Sequence, residues 1–287
     1  MMAGVVVERI PVAEGVSLHA VVWPEGSGRP FLLVHGLSSN CRTWEAVARL
    51  LHEQGHPVAT VDLRGHGQSD KPDDGYDFTT LTADLVAVIV ALRFERPVVA
   101  GQSTGGNLAV ELGHRHPELL AGVAGVDGGV LELSEQWSRW EDCEAALAPP
   151  RFAGTPAAEF ERRVRRSHPD WSEEGVAATL ANCEILPDGT VRPWLTFDRH
   201  MRILRALWQQ RPSTLVPGLT VPVLLLLAGS ADDWLPAKRH AAERAVASGA
   251  DVRLEWLPDG DHDLHVQQPG AVADLLHGAV QDGFFRP

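Results

Sequence analysis

Short apolar runs alternate with longer helical patterns along most of this chain, and this alternation limits the fold more than any other feature. Several of the runs are apolar at every position, as expected for strands covered by helices on both faces of a sheet. Strand-then-helix repeats are typical of βαβ units, so the sequence predicts an α/β fold with a mostly parallel sheet. The predicted strands are residues 16–23, 31–34, 58–63, 98–100, 120–126, 223–228 and 252–257.

The predicted helices lie between these runs, at about residues 44–54, 79–93, 105–116, 237–248 and 271–281. Residues 131–215 break the rhythm, because they contain helical patterns without a strand run. We therefore predict a core domain of residues 1–130 and 216–287 and an all-helical cap of residues 131–215. Five of the nine tryptophans lie in this cap. Trp137, Trp140 and Trp208 are candidates for substrate contact, although packing of the cap is an equally good explanation.

Composition narrows the class of partner. The chain carries 38 acidic against 25 basic residues, a net charge of −13, without a long basic stripe. Nucleic acid and anionic membrane surfaces are therefore not expected as partners. The apolar runs are too short to span a bilayer, and no secretory leader is evident. The three cysteines cannot form a complete disulfide framework. We expect a cytoplasmic protein.

The strongest local signal is Gly101-Gln102-Ser103-Thr104-Gly105, which follows a predicted strand and opens a predicted helix. A sharp strand-to-helix turn strains the backbone of its middle residue, and neighbours without a Cβ let the chain pass closely. The Ser103 hydroxyl would then stand at a helix N-terminus, where backbone N–H groups favour developing negative charge. Ser103 is the candidate nucleophile.

A serine nucleophile needs a base, and the base needs an acid that orients it. His262 follows the strand at 252–257, and Asp232 follows the strand at 223–228, so both lie at the carboxyl edge of the sheet. We favour Asp232 as the acid, with Asp127, which follows the strand at 120–126, and Asp233 as alternatives. His262 lies among aspartates that could suggest a metal, but the triad explains it better, and we expect no metal and no cofactor.

These motifs together resemble those of the α/β-hydrolase fold over nearly the whole chain. The resemblance implies an eight-stranded sheet with the cap inserted after the sixth strand. It also implies that the backbone N–H groups of Leu37 and Thr104 bind an oxyanion. The matching segments are His35-Gly36-Leu37, Asp62-Leu63-Arg64-Gly65-His66-Gly67-Gln68-Ser69, the turn at Ser103, Gly229-x-x-Asp232-x-x-x-Pro236 and Gly260-x-His262.

The resemblance implies a cofactor-free serine hydrolase that acts on a small-molecule acyl compound through an acyl-enzyme. Relatives that cleave haloalkanes or epoxides have Asp where this chain has Ser103, so those activities are not expected. The favoured hypothesis is a carboxylesterase for a bulky apolar or aromatic substrate. Lactone, thioester and C–C bond hydrolysis and perhydrolysis remain open on the same triad. The non-enzymatic alternatives are a ligand receptor on this fold with little turnover and an interaction protein with an idle site.

Overall fold

The computed structural model describes residues 4–285. The strands of this part of the chain are β1 (Val6–Ala13), β2 (Val16–Trp23), β3 (Phe31–Val34), β4 (Val58–Val61), β5 (Val98–Gln102), β6 (Gly122–Val126), β7 (Cys183–Ile185), β8 (Val191–Pro193), β9 (Val223–Ala228) and β10 (Val252–Leu257). Its α-helices are α1 (Glu45–Glu53), α2 (Phe78–Ala91), α3 (Thr104–Arg115), α4 (Leu133–Gln136), α5 (Trp140–Leu147), α6 (Ala157–Ser167), α7 (Glu173–Leu180), α8 (Phe197–Gln209), α9 (Pro212–Leu215), α10 (Leu235–Val246), α11 (Leu264–Gln267) and α12 (Pro269–Gln281).

The main sheet has eight strands in the order β1-β2-β4-β3-β5-β6-β9-β10. β2 pairs antiparallel with β1 and with β4, and all other neighbours are parallel. This confirms the predicted α/β-hydrolase fold with a mostly parallel eight-stranded sheet. Within the described residues, no helix is long and apolar enough to cross a membrane.

Side chains along the central strands alternate between two hydrophobic layers, because successive residues of a strand point to opposite faces. In β3, Leu32 and Val34 face the layer covered by α2, α3 and α10, whereas Phe31 and Leu33 face the layer covered by α1 and α12. All four side chains are fully buried. Burial on both faces explains why β3 is apolar throughout, and the same holds for β9.

Four predicted strands, those at β2, β3, β9 and β10, have the bounds that the structure shows. The sequence reading missed β1, the edge strand. Six of its eight positions are exposed, so it lacks the apolar run that marks the central strands. Edge strands commonly carry charged residues, and Glu8 and Arg9 do so here.

The segment between β6 and β9 contains α4 to α9, and so the insertion after the sixth strand is confirmed. The expectation that residues 131–215 are all-helical is wrong, because β7 and β8 form a small antiparallel hairpin there. Its strands have three residues each, too few to give a period-two signal. The turn is stabilised locally, since Asp188 Oδ1 accepts hydrogen bonds from the backbone N–H (3.0 Å) and the hydroxyl (2.7 Å) of Thr190.

The segment 62–69 forms hydrogen bonds and an ion pair that hold loops at the carboxyl edge of the sheet. Asp62 accepts backbone N–H groups on both carboxylate oxygens, from Cys41 at 2.7 Å and from Gln68 at 2.8 Å. Arg64 forms a buried two-pronged ion pair with Asp84 of α2, with both N···O distances at 2.6 Å. This motif therefore has a structural part in holding the edge at which the site lies.

Candidate active site

Ser103 lies on the sharp turn between β5 and α3, with φ 51° and ψ −119°, a strained conformation for a residue with a side chain. A Cβ on Gly101 would lie 2.1 Å from the Gly105 carbonyl carbon, and one on Gly105 would lie 2.4 Å from the Val34 oxygen. Both positions therefore require glycine. The Ser103 N–H donates to the Val126 carbonyl at 3.0 Å, which ties the turn to β6.

His262 follows β10 and forms a hydrogen bond with Asp127, the residue directly after β6. His262 Nδ1 lies 2.6 Å from Asp127 Oδ2. Asp127 is buried and its other oxygen, Oδ1, accepts the Ala228 N–H at 3.1 Å. The Gln102 side chain donates to the His262 carbonyl at 2.9 Å, so the residue before Ser103 also holds the histidine loop.

The expectation that Asp232 orients His262 is wrong. Asp232 is exposed and accepts the Trp234 backbone N–H at 2.9 Å, which turns its carboxylate toward the start of α10. Its other oxygen lies 3.4 Å from Lys238 Nζ. The neighbouring Asp233 is exposed as well. The alternative Asp127 contacts His262 instead. It directly follows the end of β6, where it is buried and lies next to the Ser103 turn.

The His262–Asp127 pair has shifted proton affinities. Desolvation acts to lower the pKa of His262, but its hydrogen bond to Asp127 and the charges of Asp263 and Asp127 outweigh it, so this pKa lies above its ordinary value. Burial acts to raise the pKa of Asp127, yet the His262 hydrogen bond and the charges of His262 and Lys238 hold this pKa below its ordinary value. Asp127 therefore stays ionised at neutral pH.

Ser103, His262 and Asp127 line one cavity of about 440 Å³. Most of its apolar wall is leucine, from the loops after β3 and β6, from the inserted helices and from β9, namely Leu37, Leu131, Leu133, Leu147, Leu204, Leu207 and Leu227. Its polar lining also contains His200, Asp232 and Lys238. The cavity thus has a mostly apolar wall with a smaller set of polar side chains that includes Ser103 and His262, the usual character of a small-molecule site.

The three tryptophans expected at the substrate do not belong to the described lining of this cavity. Trp137, Trp140 and Trp208 pack around Cys143 and Leu204 inside the inserted segment. Trp140 and Trp208 meet edge to face at 5.9 Å between ring centroids, so they pack within the inserted segment. The aromatic residue that lines the cavity is Trp234, which follows β9 and was not among the predicted site residues.

The loop at Leu37 passes close to Ser103. A Cβ on Gly36 would lie 3.2 Å from Ser103 Cβ, so glycine permits this approach. Leu37 and Thr104, the two expected oxyanion donors, both line the cavity with Ser103. Ser38 has φ 61°, and its Oγ lies 2.6 Å from Nδ1 of His200 on α8, which links this loop to the inserted segment.

Side chains that could together bind a metal ion lie away from Ser103 and His262. Within residues 4–285, the group with suitable spacing is His19, Cys41 and Asp62, whose ligand atoms lie within 4.8 Å of one another. Both carboxylate oxygens of Asp62 already accept hydrogen bonds from backbone N–H groups, as described above. His262 and its neighbouring aspartates are not part of that group. The three cysteines Cys41, Cys143 and Cys183 are free and buried.

The sheet order, the strained serine turn and the histidine–carboxylate pair at the carboxyl edge are the features of an alpha/beta hydrolase. A family model described as "Alpha/beta hydrolase family" matches residues 31–275. The chain belongs to the alpha/beta hydrolase family.

Individual relatives carry several activity names. The serine hydrolase-like protein of Danio rerio is 36% identical over 287 residues, covering 95% of this chain and 87% of that protein. A putative non-heme chloroperoxidase of Synechocystis is 39% identical, covering 89% of this chain and 92% of that protein. A shorter match to the AB hydrolase superfamily protein YisY of Bacillus subtilis is 42% identical over 91 residues, which cover 34% of that protein. Among solved structures, E-2-(acetamidomethylene)succinate hydrolase has a TM-score of 0.78 at 21% identity, covering 97% of this chain and 99% of that one.

Proposed function

We propose that this protein is a cofactor-free serine hydrolase in which Ser103, His262 and Asp127 form the catalytic triad. The observation that carries the proposal is the 2.6 Å contact between His262 Nδ1 and Asp127 Oδ2, with His262 and Ser103 on the wall of one cavity. A carboxylate at Nδ1 selects the tautomer in which Nε2 is free to accept a proton.

In the proposed mechanism, Ser103 Oγ attacks the acyl carbonyl while His262 Nε2 takes its proton. Asp127 stabilises the imidazolium, and the Leu37 and Thr104 backbone N–H groups bind the oxyanion. The protonated His262 then gives its proton to the leaving group, and an acyl-enzyme remains. His262 next removes a proton from water, which attacks the acyl carbon and restores Ser103.

We propose a carboxylic ester with a bulky apolar acyl group as the substrate. The support is the leucine wall and Trp234 around a cavity of about 440 Å³. We further propose that residues 131–215 act as a cap, since Leu204, Leu207 and His200 of α8 supply part of that wall. Lactones, thioesters and C–C bonds next to a carbonyl would use the same triad.

A second candidate is perhydrolysis, which is favoured by the similarity to the putative non-heme chloroperoxidase. Hydrogen peroxide would then replace water in the second step. Its oxygen would bond to the acyl carbon, the Ser103 ester bond would break, and the products would be a peracid and free serine.

The test is fluorophosphonate labelling of the wild type and of Ser103→Ala, beside hydrolysis of p-nitrophenyl esters from acetate to decanoate. We expect labelling and turnover to disappear together in the variant, and the wild type to prefer the longer acyl chains. Wild-type protein that neither labels nor turns over would refute the proposal and favour a ligand receptor. Added hydrogen peroxide, with peracid detection, separates the two candidate functions.

A further inference from the structure

Lys238 of α10 is a buried lysine in contact with the proposed triad acid. Its side chain is only 8% exposed, and its Nζ lies 2.9 Å from Asp127 Oδ2. Lysine is rarely buried unless it is paired, because desolvation of an ammonium ion is costly. Asp127 Oδ2 therefore has two close partners, the Lys238 ammonium group in an ion pair and His262 Nδ1 in a hydrogen bond.

Asp232 holds the other side of this ammonium group, with Oδ2 at 3.4 Å from Lys238 Nζ. The Trp234 N–H donates to Asp232 Oδ1 and fixes the carboxylate at the start of the turn into α10. A row of contacts thus runs from the Asp232 carboxylate through the Lys238 ammonium group to the Asp127 carboxylate. This row ends at His262, the proposed base. Lys238 therefore contacts two of the three carboxylates that the sequence suggested as triad acids, Asp127 and Asp232.

We propose that Lys238 is a positioning residue for the His262–Asp127 pair, and that Asp232 holds Lys238 in place. This inference rests on the proposed function. When His262 is neutral, it gives the buried Asp127 carboxylate no positive charge. Lys238 then supplies the positive charge that stabilises this carboxylate. The ion pair also fixes the Oδ2 atom that orients the imidazole ring.

The charge of Lys238 also opposes protonation of His262, whereas Asp127 and Asp263 favour it. The other groups that face this pair are His265, which interacts with His262, and Asp232, which faces Lys238. Removal of the lysine charge leaves the carboxylates unopposed. His262 then stays protonated to a higher pH, and a protonated imidazole cannot act as the base.

The test compares Lys238→Met with Lys238→Arg, which keeps the charge. We expect the acidic limb of the kcat/KM–pH profile of Lys238→Met to move to higher pH. Because one nearby charge changes such an equilibrium by about tenfold or more, we expect kcat/KM on that limb to fall about tenfold. Lys238→Arg should keep most of the wild-type kcat/KM on that limb, because it keeps the positive charge. A purely structural role would lower activity at every pH without moving the limb.

A readout without turnover keeps the inference separate from the proposed function. In the Ser103→Ala background, NMR titration of the His262 imidazole, assigned with His262→Gln, should show a higher midpoint once Lys238→Met is added. An unchanged midpoint overturns the inference even in an active hydrolase. If Lys238→Met raises this midpoint but the wild-type protein has no hydrolase activity, the proposed function is refuted and the electrostatic coupling stands. Lys238→Gln, which keeps a donor without charge, replaces Lys238→Met if that variant does not fold.

Discussion

Asp127→Asn is the substitution that tests the site geometry most directly. The Ala228 N–H donates to Asp127 Oδ1 at 3.1 Å, so the asparagine carbonyl oxygen would take that position. Its NH₂ group would then replace Oδ2 and donate to His262 Nδ1. This fixes the tautomer that carries a proton on Nε2, which cannot accept the Ser103 proton.

The expected loss in kcat is about 10⁴-fold, the magnitude for the equivalent change in a serine protease triad, or about 5 kcal/mol in the barrier. The matched control is Asp232→Asn, because Asp232 also contacts Lys238 but does not reach His262. We expect it to lose about tenfold at most.

The assay is p-nitrophenyl ester hydrolysis together with the rate of fluorophosphonate labelling, with thermal unfolding to verify that each variant is folded. A larger loss in Asp232→Asn than in Asp127→Asn would refute the assignment of the acid. It would mean that the working enzyme uses a geometry other than the one described here.

Three further predictions concern pH and stability. Because the pKa of His262 is raised, activity should increase with pH through a midpoint above about 6.5; a flat profile from pH 5 to 9 would contradict its role as the base. Four buried histidines have pKa values lowered by burial, so below pH 6.5 the unfolded chain binds protons that the folded one does not, and stability should be full above that pH and fall as the pH drops toward 4. Each lowers the free energy of unfolding by up to about 1.4 kcal/mol per pH unit below pH 6.5, or about 2 kcal/mol by pH 5, and urea unfolding at pH 7.5, 6 and 5 measures this loss; an unchanged free energy of unfolding at pH 5 would count against it. They are His35 and His200, with a pKa of about 4, and His66 and His265, with a pKa of about 3. Arg64→Leu leaves Asp84 buried and unpaired and should cost about 3–5 kcal/mol in urea unfolding, whereas Arg9→Ala, which breaks an exposed pair with Asp70, should cost less than about 1 kcal/mol; equal losses would refute the distinction.

The central strands were predictable because they are buried on both faces and therefore consist almost entirely of residues without charge. β1 and the β7–β8 hairpin were not, since an exposed edge strand and three-residue strands leave no such run. The sharp turn at Ser103 was predictable from its glycines, which the close backbone approach at this turn requires.

The tryptophans show why side-chain direction escapes sequence reasoning. Trp137, Trp140 and Trp208 lie in the inserted segment, but whether they face the cavity or the interior of that segment depends on how its helices are oriented against each other. Trp234 lies outside that segment, and its position in the cavity follows from the path of the chain after β9.

The sequence alone determined the central strands of the sheet, the position of the insertion, the serine turn and the histidine that follows the last strand, because each depends on residues close together in the chain. The choice of acid depended on tertiary structure. Asp127 and Asp232 both follow strands that end at the same edge, β6 and β9, so local pattern treats them alike. Only the packed structure shows that Asp127 stays buried at its strand end within hydrogen-bonding distance of His262, while the Trp234 N–H and Lys238 hold Asp232 at the start of α10.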